Sequence, residues 1–330
     1  MKKDTALLGF DIGGTKIAIS LGTPDGKLLG SARIDNVDTY PDDIIPKMIS
    51  EAKRLIREAG IAPGGVGAFG ISSPGPSDYR AGVMTTPTNN RNWIDVPIRQ
   101  LISDGLGLPG FFENDANCAM LAEWFFGSAK GAKDALYLTM STGIGGGIIA
   151  AGHLVTGASG QAGEVGHMVL RPGGIQCNCG LRGCYEAYCG GKAIAARMRR
   201  ELADRPDAAV VKFAGSLDKV DMVALEKAVR AEDPYAVELW NETMELHAQA
   251  VGSLINTFNP EIVVLGTFAW AIGDLFMDPL LNRLPGYAWT QMLGVCRVVP
   301  SALKSKIAAY AGLAAALNGL YELGEYSLQE

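Results

Sequence analysis

Cys177-x-Cys179-x4-Cys184, with His167 upstream of the first thiol, gathers three soft ligands and one imidazole in a short stretch of chain. Three thiolates and an imidazole are a complete tetrahedral zinc set, and a set that leaves no position for water is structural rather than catalytic. Gly180 and Gly183 lie among these residues and let a chain curl tightly around an ion. Reduced thiols without metal are the plainer alternative, disfavoured by the clustering in loop-like sequence. Cys118, Cys189 and Cys296 have no such company and read as small buried hydrophobes.

Two acids border the ligands. Glu164 precedes His167, and Glu186 follows Cys184. Glu-x-x-His on a helix is half of a di-iron site, but Gly163 and Gly166 flank this pair and disfavour a helix. Zinc would instead fix the loops that present Glu164, His167 and Glu186. Carboxylates held near one another accept hydrogen bonds from several hydroxyl donors at once, as a sugar offers.

A second chemistry concerns anions. Asp11-Ile12-Gly13-Gly14-Thr15-Lys16 follows an apolar strand and has neither Walker A nor GxGxxG spacing. Its glycines can still turn backbone N–H groups toward a phosphate, with the Thr15 hydroxyl beside them. Asp11 is placed to hold a magnesium ion or its waters. The pattern returns between Leu138 and Ile149, with Thr142, Gly143 and Gly145 to Gly147 at the tip. Two such hairpins suggest duplicated halves facing each other across a nucleotide-phosphate cleft. In Phe111-Phe112-Glu113-Asn114-Asp115-Ala116, a strand gives way to a helix. Asp115 there is either a helix cap or a general base that takes the proton of an attacking hydroxyl.

The elements that carry these residues alternate. Helical apolar spacing covers Ile44 to Ala59, a short strand runs from Val66 to Ile71 into Ser72-Ser73-Pro74-Gly75-Pro76, and a helix spans Ala116 to Phe126. Asp233-Pro234 is a helix start with its cap and first-turn proline. That helix stripes Trp240, Met244, His247, Val251, Leu254 and Phe258 on one face and ends at Asn259-Pro260. His247 reads as a satisfied core histidine and His153 as a turn residue. A buried strand covers Ile262 to Leu265, and a closing helix runs from Ala308 to Tyr321. The alternation means α/β layers.

Composition sets the outer limits. A chain of 330 residues, 48% hydrophobic and 19% charged, describes a globular protein of two domains. The division falls near residue 118: residues 1–118 with 308–330 as a small α/β domain, and 119–307 as a large one carrying the zinc site. A net charge of −6 argues against a nucleic-acid partner. The N-terminal apolar stretch is too short for a signal peptide and the Ala-rich run near the C-terminus too short for a membrane span, so a cytoplasmic protein is expected. Glycine, at 42 residues, exceeds the usual share of about 7% and concentrates in runs where backbone must approach something closely.

Taken together these blocks resemble the ROK family of bacterial sugar kinases, over nearly the whole chain. They are Asp11 to Lys16, Pro74-Gly75-Pro76, Asn89-x3-Trp93, Glu113-Asn114-Asp115-Ala116-Asn117, Gly143-Ile144-Gly145-Gly146-Gly147, and Gly163-Glu164-x-Gly166-His167 through Cys177-x-Cys179-Gly180-x2-Gly183-Cys184-x-Glu186. The resemblance implies an actin-like (ribonuclease H-like) two-domain fold with a cleft between the domains. It implies ATP, magnesium and structural zinc, a hexose as acceptor, and a homo-oligomer, dimer or tetramer. Asp115 would be the catalytic base, and Gly75, Asn89, Asn114, Asp115, Glu164, His167 and Glu186 would hold the sugar. His167 would give one ring nitrogen to zinc and the other to a sugar hydroxyl. Asp11, Gly13, Gly14, Thr15, Lys16, Thr142, Gly143, Gly145 and Gly266 would line the nucleotide. His167, Cys177, Cys179 and Cys184 would bind zinc.

The chain departs from the family in two places. Leu265-Gly266-Thr267-Phe268-Ala269 stands where a Gly-Gly pair is usual, and Ser141 precedes Thr142 where glycine is usual. Side chains at 267 and 268 would weaken ATP, shift nucleotide preference or stack an aromatic ring on the base. Glucose phosphorylated at its 6-hydroxyl is the first expectation, with N-acetylglucosamine, N-acetylmannosamine or fructose as alternatives in the same family. A non-catalytic sugar-binding regulator is the alternative of another class. Against a repressor, the chain reaches its first hairpin at Asp11, which leaves no room for a helix-turn-helix before it.

Overall fold

The computed structural model describes residues 5–87 and 90–327. Contacts group the chain into two units: residues 1–133, 147–163 and 302–330 form the first, residues 134–146 and 164–301 the second. The strands are β1 (Ala6–Ile12), β2 (Lys16–Gly22), β3 (Leu28–Asp35), β4 (Val66–Ser73), β5 (Ser77–Asp78), β6 (Val83–Met84) and β7 (Gly110–Asn114). They continue with β8 (Ala135–Met140), β9 (Ile144–Ala150), β10 (His153–Leu154), β11 (Ile262–Leu265) and β12 (Arg297–Pro300).

In the first unit the sheet order is β3-β2-β1-β4-β7. β1 and β2 form an antiparallel hairpin, β3 extends it antiparallel, and β4 and β7 add in parallel. Parallel neighbours bury both faces of a strand, and β1 and β4 accordingly read as near-continuous buried runs. The Ile307–Glu322 helix lies flush on them: a Cβ on Gly9 would come within 2.6 Å of Leu313 N, and one on Gly70 within 2.1 Å of Gly312 O. This close approach explains the small residues of that helix and fixes the strand ends that carry Asp11 and Ser72.

The second sheet has the order β10-β9-β8-β11-β12. β8, β11 and β12 are parallel to one another, and the Gly-rich hairpin joins β8 to β9. The two sheets thus repeat one scheme, hairpin strands first and parallel strands after, as the two similar hairpins imply.

Element boundaries follow local chemistry. The helix expected from Ile44 starts at Pro41, which occupies its first turn with Asp42 and Asp43. The strand expected to stop at Ile71 runs on to Ser73, because its partner β7 extends the ladder to Ser73↔Asn114. The Pro234–Phe258 helix has Asp233 as cap, accepting from Ala236 N–H at 3.0 Å, and ends on Asn259 in the left-handed region. Phe258, at the end of its stripe, is exposed. His153 belongs to β10 rather than a turn, paired with Ala150, and its Nδ1 meets Glu322 at 3.0 Å. Among the described residues no helix is long and apolar enough to cross a membrane.

Candidate functional site

In the first unit the β1–β2 turn holds Gly13, Gly14, Thr15 and Lys16. It closes with the Gly13 N–H donating to Lys16 O at 2.9 Å, and Thr15 and Lys16 are exposed. Asn36 braces it from below: its N–H donates to Thr15 O at 2.9 Å and its Nδ2 to Gly13 O at 2.7 Å. Asp11 sits one strand residue before the turn and accepts the Ser72 hydroxyl at 2.7 Å. Burial raises the Asp11 carboxyl to about 7, the Ser72 bond pulls against that, and the Asp115 carboxylate adds to it. A divalent cation would remove this penalty by supplying the missing charge.

Asp115 opens the Asp115–Phe126 helix and is exposed. The cap is Asn114, whose Oδ1 accepts the N–H groups of Ala116 at 2.8 Å and Asn117 at 3.3 Å. The Asp115 Oδ1 accepts the Ala116 N–H at 2.9 Å. Asn114 Nδ2 donates to the Tyr79 hydroxyl at 3.2 Å, so both ends of its amide have protein partners. Beneath them Glu113 is pushed above the ordinary carboxylate range by burial, and it accepts from Asn117 Nδ2 at 3.0 Å. Gly75 lies in the loop after β4, where a Cβ would stand 3.1 Å from the Tyr79 hydroxyl. Asn89 lies outside the described residues. Its neighbour Asn90 is buried and accepts from Asn36 Nδ2 at 3.0 Å, which ties that loop to the Gly13 turn.

The second unit brings together what lies far apart in its sequence. Glu164 precedes a single 3-10 turn, Val165–His167, in keeping with glycines that disfavour a longer helix. His167 Nδ1 is 3.7 Å from Cys177 Sγ, and Cys179 Sγ is 3.6 Å from Cys184 Sγ. All four donor atoms lie within 4.8 Å of one another. Tetrahedral zinc with metal–sulfur bonds of about 2.3 Å needs sulfurs just under about 4 Å apart, so the donors fit the ion. Gly180 and Gly183 adopt φ of 94° and 90°, the left-handed backbone that the tight loop requires. With Nδ1 on the thiolate side, His167 turns Nε2 toward Glu164, 3.8 Å from its carboxylate.

Glu186 joins this turn to the second hairpin. Its Oε2 accepts the Ile144 N–H at 2.7 Å. A Cβ on Gly143 would lie 2.4 Å from the same oxygen, and one on Gly166 would lie 2.1 Å from Ile144 O. Thr142 is exposed at the tip, and the carbonyls of Ser141 and Thr142 accept from Gly191 and Lys192 N–H. Gly145 stands in β9, partly exposed. Gly266 donates to Leu138 O at 2.8 Å, and a Cβ there would meet the Tyr137 hydroxyl at 2.8 Å. Phe268 does not present its ring to solvent: it is buried, its centroid 6.5 Å from that of Phe276. Stacking on a nucleotide base is therefore not its role, whereas Thr267 opens a short helix at this point.

The ROK family pattern matches residues 7–317. The chain belongs to the ROK family. The glucokinase of Thermotoga maritima is 35% identical over 90% of this chain and 92% of its own length. A ROK hexokinase from Thermus thermophilus superposes with a TM-score of 0.80 at 32% identity, covering 97% of this chain and all of that one. A Streptomyces griseus ROK glucokinase, solved with glucose and AMPPNP, gives a TM-score of 0.73 at 28% identity, over 94% of this chain and 98% of its own. The xylose repressor of Bacillus spizizenii is 30% identical over 92% of this chain and 74% of its own length. The fold is the actin-like two-domain fold of ROK sugar kinases, and the kinase relatives support a sugar kinase.

Several site residues escaped sequence reasoning. Ser72, Tyr79, Asn36 and Asn90 act through hydrogen bonds to residues distant in sequence. The doublet Ser72-Ser73 before Pro74-Gly75-Pro76 was the available signal for the first. His247 is buried as expected but only half satisfied. Its Nδ1 meets the Tyr185 hydroxyl, while Nε2 is buried without a hydrogen-bond partner among the described residues.

Proposed function

We propose that this chain is an ATP-dependent hexose kinase that phosphorylates a sugar hydroxyl, the 6-hydroxyl of glucose first. The observation that carries the reading is the exposed Asp115 carboxylate at the start of the Asp115–Phe126 helix, beside Asn114, which caps that helix. Asp115 takes the proton of the attacking hydroxyl, a contribution of about 10²–10⁴ in rate. The remainder comes from positioning and charge stabilisation. Glu164, His167 and Glu186 accept from and donate to sugar hydroxyls. Backbone N–H groups at Gly13, Gly14, Gly143 and Gly145, with the hydroxyls of Thr15 and Thr142, receive phosphate, and Lys16 adds a positive charge nearby. Asp11 would hold magnesium, which supplies countercharge. His167, Cys177, Cys179 and Cys184 would hold zinc, which keeps the sugar turn rigid. A cytoplasmic homo-oligomer completes the reading, checked by sedimentation.

The test is ADP release from ATP and magnesium with a panel of hexoses and N-acetylhexosamines. Turnover with one sugar, lost in Asp115→Asn while sugar binding persists, is the expected result. Equal turnover in that variant removes the base assignment. The repressor relatives favour a second reading, a sugar-binding regulator without catalysis. Calorimetric sugar binding by a wild-type protein that releases no ADP would establish it.

A further inference from the structure

Tyr185 occupies the position between the zinc ligand Cys184 and Glu186. It is fully buried, its hydroxyl meets His247 Nδ1, and the two rings stand edge to face at 5.4 Å. Its backbone is held as well. The Tyr185 N–H donates at 2.8 Å to Met168 O, next to His167, and its carbonyl accepts the Cys189 N–H at 3.0 Å. His247 is anchored on the long Pro234–Phe258 helix, whose Thr243 carbonyl also faces Cys189 Sγ at 3.8 Å.

Two apolar rings would fill this space without desolvating a hydroxyl and an imidazole, a cost that only a good hydrogen bond offsets. Here the cost is not even fully offset, since His247 Nε2 is buried without a hydrogen-bond partner among the described residues. A buried polar pair that is expensive for stability is retained where it fixes geometry. The geometry at stake is that of the next residue. Glu186 must keep Oε2 on the Ile144 amide at 2.7 Å, and any rotation of Tyr185 about its backbone swings that carboxylate.

We propose that Tyr185 and His247 are positioning residues that aim Glu186, so that one carboxylate oxygen carries the Ile144 amide while the other meets a sugar hydroxyl. The proposal rests on the sugar-kinase reading for the second of these tasks. The first needs no substrate and can be measured alone.

Tyr185→Phe keeps the ring and removes the hydroxyl. Hydrogen exchange in the peptide spanning residues 141–146, without ligand, is expected to quicken about fivefold, the ratio for one net hydrogen bond. Zinc content and cooperative melting should be unchanged. With sugar and ATP, the sugar KM should rise by about the same factor with kcat kept, the signature of lost ground-state and transition-state binding alike. His247→Gln, which keeps an acceptor, should restore most of the protection that His247→Phe loses. Exchange at wild-type rate in both Tyr185→Phe and His247→Phe overturns the proposal, as does a fall in kcat with KM unchanged. Should Tyr185→Phe lose zinc or its cooperative melt, the His247 pair of variants decides on the exchange readout. A wild-type chain silent toward every sugar removes the kinase reading, and the exchange result still decides the positioning.

Discussion

Glu186 places Oε2 2.7 Å from the Ile144 amide, so the acid that follows the Cys/His cluster in sequence is bonded to the tip of the second hairpin. Gly166, from the turn that ends at His167, lies against the carbonyl of the same Ile144. The segments that bear the candidate sugar ligands therefore meet both polar groups of one residue, one by a hydrogen bond and the other by close approach. Glu186→Ala leaves a buried amide unpaired and removes a charged acceptor, worth about 1.5–3 kcal/mol. Its kcat/KM should fall roughly 10- to 100-fold, with both sugar and ATP KM raised. Glu186→Gln retains an oxygen for Ile144 and should spare the ATP KM. Equal effects of the two variants on ATP would deny that Glu186 supports the hairpin.

Zinc is expected in freshly purified protein, bound by the four donors that lie within 4.8 Å of one another. A strong chelator should lower both the melting temperature and sugar affinity, because the turn bearing Glu164 and His167 is closed by the metal. Elemental analysis without zinc would end this account, as would full sugar affinity in the stripped protein.

His247 gives stability a dependence on acid. Burial holds its pKa at about 3 against an ordinary 6.5. The unfolded chain therefore binds a proton as pH falls through the ordinary value, while the folded chain does not, and stability is lost between about 6.5 and about 3. It is fully present above that window. Denaturant titrations of His247→Gln at several pH values should show a shallower decline than wild type across it. Parallel curves would mean that other groups govern acid unfolding.

Phe268 is a core residue in a stretch where relatives were expected to carry glycine. Phe268→Ala should cost about 3 kcal/mol or more through the cavity left against Phe276. ATP affinity, measured at a temperature where the variant is folded, should stay near wild type. A gain in ATP affinity would show instead that the ring obstructs the nucleotide.

Much of the candidate site was legible because its chemistry is packed into short spacings. Cys177, Cys179 and Cys184 with two intervening glycines announce a ligand loop, and the glycines do take the left-handed backbone. Gly143, Gly166 and Gly266 each stand where a Cβ would strike a neighbour, so their identity in the chain was itself a record of close approach. Asp115 was readable only as cap or base. The structure gives the cap position to Asn114.

By itself the sequence determined the α/β alternation, the two hairpins, the Cys/His cluster and the ends of the long helix, since each depends on residues close to one another in the chain. Tertiary structure alone decided the pairings that tune those parts: Tyr185 with His247 across 62 residues, Ser72 with Asp11 across 61, and Glu186 with Ile144 across 42. Short-range geometry is imposed by chain stereochemistry and shows as spacing. Long-range pairs depend on sheet register and on which faces pack together, and those are settled by burial of the whole core rather than by any local pattern.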